Sequence, residues 1–237
     1  KGTALAYDVY KDPALRSRGD TDVFISEKQL EAFERVAADV GFKRSSMMSA
    51  NVISNQASYS LQADDGTTHD LDVHWKINNA PILANLLSFD ELLARSTLID
   101  RLHPLARAPS HVDAIILACV HRATHVTIPS YVNGTAYYGA DRLIWLYDID
   151  LLARTLTHDQ WCALTSSVSE KRLSTICGEA LSEAQVKLAT PVPRDVMDAL
   201  FNSVAQEPIS MYLKSGASKK LWLDFGALGT TRARLSY

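Results

Sequence analysis

Residues 57–76 place the tightest constraint on how this chain folds. Asp64-Asp65-Gly66 stands between Ala57–Ala63 and Thr67–Lys76. Asp-Gly between two such runs is a strong hairpin signal, because the turn needs residues that tolerate left-handed backbone. On the second arm, two-residue alternation puts Leu71 and Val73 on one face and Asp70, Asp72 and His74 on the other. One face of that strand is apolar and the other acidic.

A second strand is written into Asp20-Thr21-Asp22-Val23-Phe24-Ile25, a short β-branched and aromatic run. Ahead of it, Thr3–Tyr10 reads as a short helix, and Lys11–Gly19 as a polar loop carrying Pro13, Arg16 and Arg18. Behind it, Ser26 with Gln29 three residues on has the form of a capping box. That box opens a helix in which Leu30, Phe33, Val36, Ala37 and Val40 recur at helical spacing, closed by Gly41. From about residue 82 the pattern turns helical. Pro104 and Pro109 mark a linker, and helices are expected over 111–125, 141–156, 158–166, 168–189 and 193–206, with a Ser-, Thr- and Tyr-rich loop around Pro129 and Gly134. The fold class expected is α/β (α+β) with a mixed sheet over residues 1–104, followed by a helical domain over 105–237.

The chain has 237 residues, 47% hydrophobic and 22% charged, enough apolar material for one large domain or two small ones. A net charge of −3 argues against strong general nucleic-acid binding, which needs a broad basic face to displace counterions. Cys119, Cys162 and Cys177 are odd in number and far apart, so reduced cysteines in a cytoplasmic protein are expected rather than a disulfide or zinc framework. No apolar run approaches a membrane span, and no leader pattern is evident. Opening at Lys1-Gly2 without a methionine, the sequence reads as part of something longer.

Asp20 and Asp22, two apart on a strand, point to the same face. Two carboxylates so close raise each other's pKa unless a cation lies between them. Asp72 on the hairpin offers a third oxygen ligand, a set suited to a hard divalent ion, Mg2+ or Mn2+, that keeps positions open for water and phosphate. Two such ions clamp the attacking and leaving oxygens of an in-line displacement. Lys1 and Arg16 or Arg18 are placed to neutralise a triphosphate, and Gly2, lacking a side chain, lets backbone N–H groups approach it. An isolated Asp-x-Asp is common at exposed turns, and Asp70-x-Asp72-x-His74 also fits a solvated strand face. The order of features, glycine, basic loop, Asp-x-Asp strand, then acidic strand after a hairpin, is what favours a metal site.

Taken together, Lys-Gly-x-Ala-Leu-Ala, Arg-x-x-x-Asp-x-Asp-Val-Phe-Ile, Gly-Phe and Leu-Asp-Val-His-Trp resemble the uncharacterised nucleotidyltransferase family of the DNA polymerase β-like superfamily. The later His-x-x-x-His, Arg-Leu-Ile-Trp-Leu-Tyr-Asp-Ile and Arg-Ala-Arg-Leu-Ser-Tyr are similar to that family as well. The resemblance implies that Lys1 and Gly2 form the nucleotide-binding turn, that Asp20 and Asp22 are the metal-binding pair, and that Asp72 is the third carboxylate. Asp72 then also draws the proton from the attacking hydroxyl. The basic position four before the first aspartate is Arg16, which is preferred to Arg18 for phosphate contact. Lys-Gly-Thr stands where superfamily members commonly have Gly-Ser or Gly-Gly.

His74, facing the same way as Asp72, is a candidate to contact substrate or to order Asp72, with a structural hydrogen bond beside Trp75 the equal alternative. In the second half, His121 and His125 lie one helical turn apart, a spacing open to a metal but more often found in satisfied histidines. Arg142 and Asp148 are candidates for substrate contact or for an ion pair between helices. Lys214, Lys219 and Lys220 fit a solvated loop. The activity expected is transfer of a nucleoside monophosphate from an NTP such as ATP to a hydroxyl of an unidentified acceptor (small molecule, protein or tRNA), with release of pyrophosphate. The competing expectations are a non-catalytic nucleotide-binding protein of the same fold and a toxin-like transferase acting on tRNA.

Overall fold

The computed structural model describes residues 2–45, 54–127, 130–132, 135–137, 141–202 and 207–228. The chain divides into two compact units, one formed by residues 1–107 with 221–237 and the other by 108–220.

The first unit is mixed α and β. It opens with helix α1 (Gly2–Asp8) and a 3-10 turn at Pro13–Leu15, whose entry is capped where Asp12 accepts a hydrogen bond from the Ala14 amide. Strand β1 (Thr21–Phe24) leads into helix α2 (Leu30–Val40), then β2 (Lys43–Arg44), β3 (Gln56–Gln62) and β4 (Thr68–His74). The sheet order is β1-β4-β3-β2, with β1 parallel to β4 and the other pairs antiparallel. The Asp-Gly hairpin forms as expected, with Gly66 at φ 84° in the left-handed region. Short helices α3 (Pro81–Ala84) and α4 (Phe89–Ala94) follow, α4 being held by a Ser88–Glu91 capping box. A small ribbon pairs β5 (Thr97–Leu98) with β6 (Arg107–Ala108), the second of which falls between Pro104 and Pro109, where a linker was expected.

Alternation in the strands makes the sheet two-sided. Ala57, Tyr59 and Val73 are buried with Ala37 of α2, and Val23, Ile25, Phe33, Leu71 and Trp75 pack around them. The ring of Phe33 meets that of Tyr59 edge to face at 5.4 Å. The amphipathic α2 thus covers one face of the sheet. Its end is fixed by Gly41, whose φ of 101° lets its amide and that of Phe42 return to the last carbonyls of the helix.

One expectation about α2 is corrected. The Ser26 side chain makes no capping bond, and Glu27–Gln29 is a 3-10 turn, so the α-helix starts only at Leu30. The Gln29 amide, which a capping box would give to the Ser26 hydroxyl, is already donated to the Ser26 carbonyl at 2.8 Å.

The second unit is helical: α5 (His111–Thr127), α6 (Leu143–Thr155), α7 (His158–Glu170), α8 (Ser174–Leu188), α9 (Arg194–Phe201) and α10 (Pro208–Leu213). Helix α11 (Ala217–Ala227) runs from its end into residue 221 and beyond. Its core is apolar, with Ile115, Ile116, Leu146, Ile149, Leu152 and Leu181 buried. The Ser-, Thr- and Tyr-rich loop instead holds a two-stranded hairpin, β7 (Ser130–Val132) with β8 (Thr135–Tyr137); Pro129 and Gly134 lie outside the described residues. The break between α7 and α8 falls at residues 171–173 rather than near 167, where Arg172 takes a left-handed φ of 54°. Lys219 and Lys220 belong to α11, not to a loop, while Lys214 caps α10 and pairs with Glu179 at 3.1 Å. Among the described residues, no helix is long and apolar enough to cross a membrane.

Candidate active site

The face of the sheet away from α2 carries the acidic residues, and strand register decides which of them meet. Parallel pairing sets Asp22 directly beside Asp72, and Phe24 beside His74. Antiparallel pairing sets Ser58 beside Asp72 and Ser60 beside Asp70. Paired residues share a face, so Asp22, Asp72, His74 and Ser58 form one polar patch across three strands. Asp20 sits one residue ahead of β1 and is exposed.

The side chains within this patch are already engaged. His74 Nε2 lies 3.0 Å from Asp22 Oδ1, both groups mostly buried at 14% and 21% exposure. Ser58 donates to Asp72 Oδ1 at 2.6 Å, and Ser60 donates to the exposed Asp70. His74 therefore orders Asp22 rather than Asp72: it lies on β4 beside Phe24, one same-face step along from Asp22, whereas Asp72 is its own strand neighbour. As placed, no group of three or more His, Cys, Asp and Glu side chains among the described residues is arranged to hold a metal ion. What the backbone does supply is two carboxylates abreast on adjacent strands, an all-oxygen donor set that suits a hard divalent cation.

The basic loop meets the start of this patch. The Thr3 and Thr21 hydroxyls lie 2.9 Å apart, tying the first turn of α1 to the first residue of β1. A side-chain carbon at Gly2 would lie 3.6 Å from the Arg16 guanidinium, an ordinary van der Waals distance, which sets that group beside the helix start. Arg16 donates to the Ser17 carbonyl at 2.6 Å. Arg18 is directed elsewhere: it lies 5.6 Å above the Tyr7 ring and donates to the Arg16 carbonyl at 3.2 Å. Lys1 lies outside the described residues.

At the opposite end of β1 and β4 is a pocket of ≈ 350 Å³, walled by Phe24, Trp75 and Phe89 with Lys76 and Asp90 among its polar groups. Phe24 and Phe89 meet edge to face at 5.8 Å.

Arg142 belongs to the other unit, where it precedes α6 and lies 5.7 Å above the Trp145 ring. Asp148 is buried in α6. His121 and His125 pack ring on ring at 4.3 Å and both touch Trp145. Neighbouring Arg122 makes a two-pronged bond to Asp141, at 3.0 and 2.6 Å.

Sequence reasoning missed Thr3 and Ser58. Ser58 was countable, because the Asp-Gly turn fixes which β3 residue faces Asp72. Thr3 carried no signal, since nothing local announces that α1 and β1 touch.

Comparison with known proteins found no match among curated proteins and none among solved structures. A family model described as an uncharacterised nucleotidyltransferase matches residues 1–188. That stretch holds the acidic sheet face, the basic loop and most of the second unit, and the chain belongs to the uncharacterised nucleotidyltransferase family, enzymes that transfer nucleotidyl groups.

Proposed function

We propose that this enzyme moves a nucleoside monophosphate from an NTP, ATP included, to a hydroxyl acceptor and releases pyrophosphate, using Mg2+ or Mn2+ held by Asp22, Asp72 and Asp20. The observation that carries this is the register of β1 with β4, which aligns Asp22 and Asp72 although they are far apart in the chain. When bound, the cation supplies charge neutralisation at the phosphate oxygens.

The protein's own contribution is positional and electrostatic. Arg16, held against Gly2, counters the charge of the triphosphate tail, with Lys1 adding to it and Arg18 supporting the loop backbone. Asp72 takes the acceptor proton at Oδ2, because Ser58 already occupies Oδ1. His74 holds Asp22 in its rotamer. The three thiols, none in a disulfide, support a reducing compartment such as the cytoplasm.

The test is incubation with α-labelled NTPs, Mg2+ and a cell lysate. Label should pass to an acceptor with the native chain and not with Asp22→Asn or Asp72→Asn. Nucleotide binding without transfer in any lysate fraction would point instead to a protein that only binds nucleotide.

A further inference from the structure

The pocket at the far end of β1 and β4 has no place in the chemistry so far, yet the strand order connects it to that chemistry. Along β1 the sequence runs from the basic loop, through Asp22 beside Asp72, to Phe24 in the pocket wall. An in-line displacement requires the attacking oxygen to approach opposite the departing pyrophosphate. With the triphosphate tail at the Arg16 end, the attacking hydroxyl must come from the Phe24 end. The geometry points to this pocket as the acceptor subsite, and to an uncharged hydroxylated ring of monosaccharide size as the group it takes. This assignment rests on the transferase reading given above.

Three features specify that chemistry. A volume of ≈ 350 Å³ is at the small end for ligand pockets and admits one ring rather than a folded macromolecule. Phe24, Trp75 and Phe89 provide apolar surfaces against which the C–H face of a sugar ring packs. The charged lining is balanced: Glu27 and Asp90 stand against Lys28 and Lys76. Such a lining offers both donors and acceptors to hydroxyl groups, and it lacks the basic excess that draws a polyanion such as RNA.

Binding and transfer are measured separately on the purified chain. Saturation-transfer NMR with D-glucose, D-mannose and myo-inositol as probes reports ring binding without nucleotide. Lys76→Ala and Asp90→Ala, both rim substitutions outside the core, should each weaken the best-bound ring by ~10-fold, the effect of losing one hydrogen bond to a charged group. In the labelled-NTP assay the same variants should raise KM for the acceptor and leave KM for NTP unchanged. No saturation transfer to any of the three rings overturns the assignment. So does transfer that depends on Asp22 while the acceptor KM is unmoved in both variants, which leaves the transferase reading standing. Ring binding that responds to both variants without label reaching the ring overturns the acceptor assignment, while Asp22-dependent labelling of another acceptor in the lysate leaves the transferase reading standing.

Discussion

His74 Nε2 lies 3.0 Å from Asp22 Oδ1, two side chains that sit 52 positions apart in the chain. The histidine therefore fixes one oxygen of a carboxylate proposed to hold a divalent cation. Addition of Mg2+ is expected to leave that bond in place, because the carboxylate has further lone pairs on both oxygens, and to change the field at the imidazole. The His74 ring signals in a two-dimensional NMR spectrum should move on titration with Mg2+ in the native chain and stay put in Asp72→Asn. Unmoved His74 signals at saturating Mg2+ in the native chain would exclude Asp22 as a ligand.

Neutralising either central carboxylate should abolish turnover while leaving the fold intact. At about 1.4 kcal/mol per factor of ten, losing several kcal/mol of metal-borne charge stabilisation lowers kcat/KM by roughly 10²–10⁴-fold in Asp22→Asn or Asp72→Asn. Circular dichroism should be unchanged, since both groups lie on the face of the sheet opposite its apolar core. Asp70→Asn should reduce activity far less, because Asp70 is exposed and bonded only to the rim of the patch through Ser60.

Ser58→Ala should act through Asp72. Its hydroxyl fixes Asp72 Oδ1 at 2.6 Å, and losing a group that orients a metal ligand costs about 10–100-fold in metal affinity or activity. The Mg2+ concentration giving half-maximal activity should rise in Ser58→Ala, with Ser58→Thr restoring it in part. An unchanged Mg2+ dependence would reduce Ser58 to a spectator.

Tyr59 ties the first unit to alkaline conditions. Its phenol is raised above the ordinary 10.0, first by burial and then by the hydrogen bond it donates to Glu34 at 3.1 Å. A group whose folded pKa lies above its unfolded value stabilises the fold fully below the unfolded value and loses that contribution as pH rises through the folded one. Stability of the first unit should therefore fall above about pH 10, more steeply in the native chain than in Tyr59→Phe. Ultraviolet titration of the phenols should show a late-ionising component that the substitution removes.

The thiols should differ sharply in reactivity. Cys177 is held well above the usual thiol range by its hydrogen bond with Cys119 and by burial, whereas Cys162 is exposed, 3.8 Å from His158 Nε2. Since the thiolate is the reactive form and needs access, iodoacetamide should modify Cys162 in the native chain, and Cys119 and Cys177 only after denaturation. Mass spectrometry of tryptic peptides reads this directly.

The extent to which this architecture can be read from sequence follows the range of the interactions involved. The hairpin and the sidedness of β4 were legible because an Asp-Gly turn and two-residue alternation are local. That Asp72 joins Asp22 was expected from the order of features and from the resemblance, but no local rule predicts that β1 lies parallel to β4, since α2, β2 and β3 intervene. His74 was placed on the correct face with its role left open; its bond runs to Asp22 rather than to Asp72, because cross-strand neighbours depend on register. In the second unit, the β7–β8 hairpin and helices α10 and α11 escaped notice: short strands and marginal helices owe their form to packing rather than to propensity.

The parallel pairing of β1 and β4 also bears on when the enzyme becomes competent. The hairpin of β3 and β4 can close early, since its two arms are neighbours in the chain. Strand β1 pairs with β4 across the intervening α2, β2 and β3, and contacts between such distant segments form slowly. A nascent or partly unfolded chain consequently presents Asp72 without Asp22 beside it. The proposed acidic pair exists only where β1 lies against β4, so a chain in which β1 has frayed from the sheet keeps Asp72 on its hairpin and loses the neighbour that completes the pair.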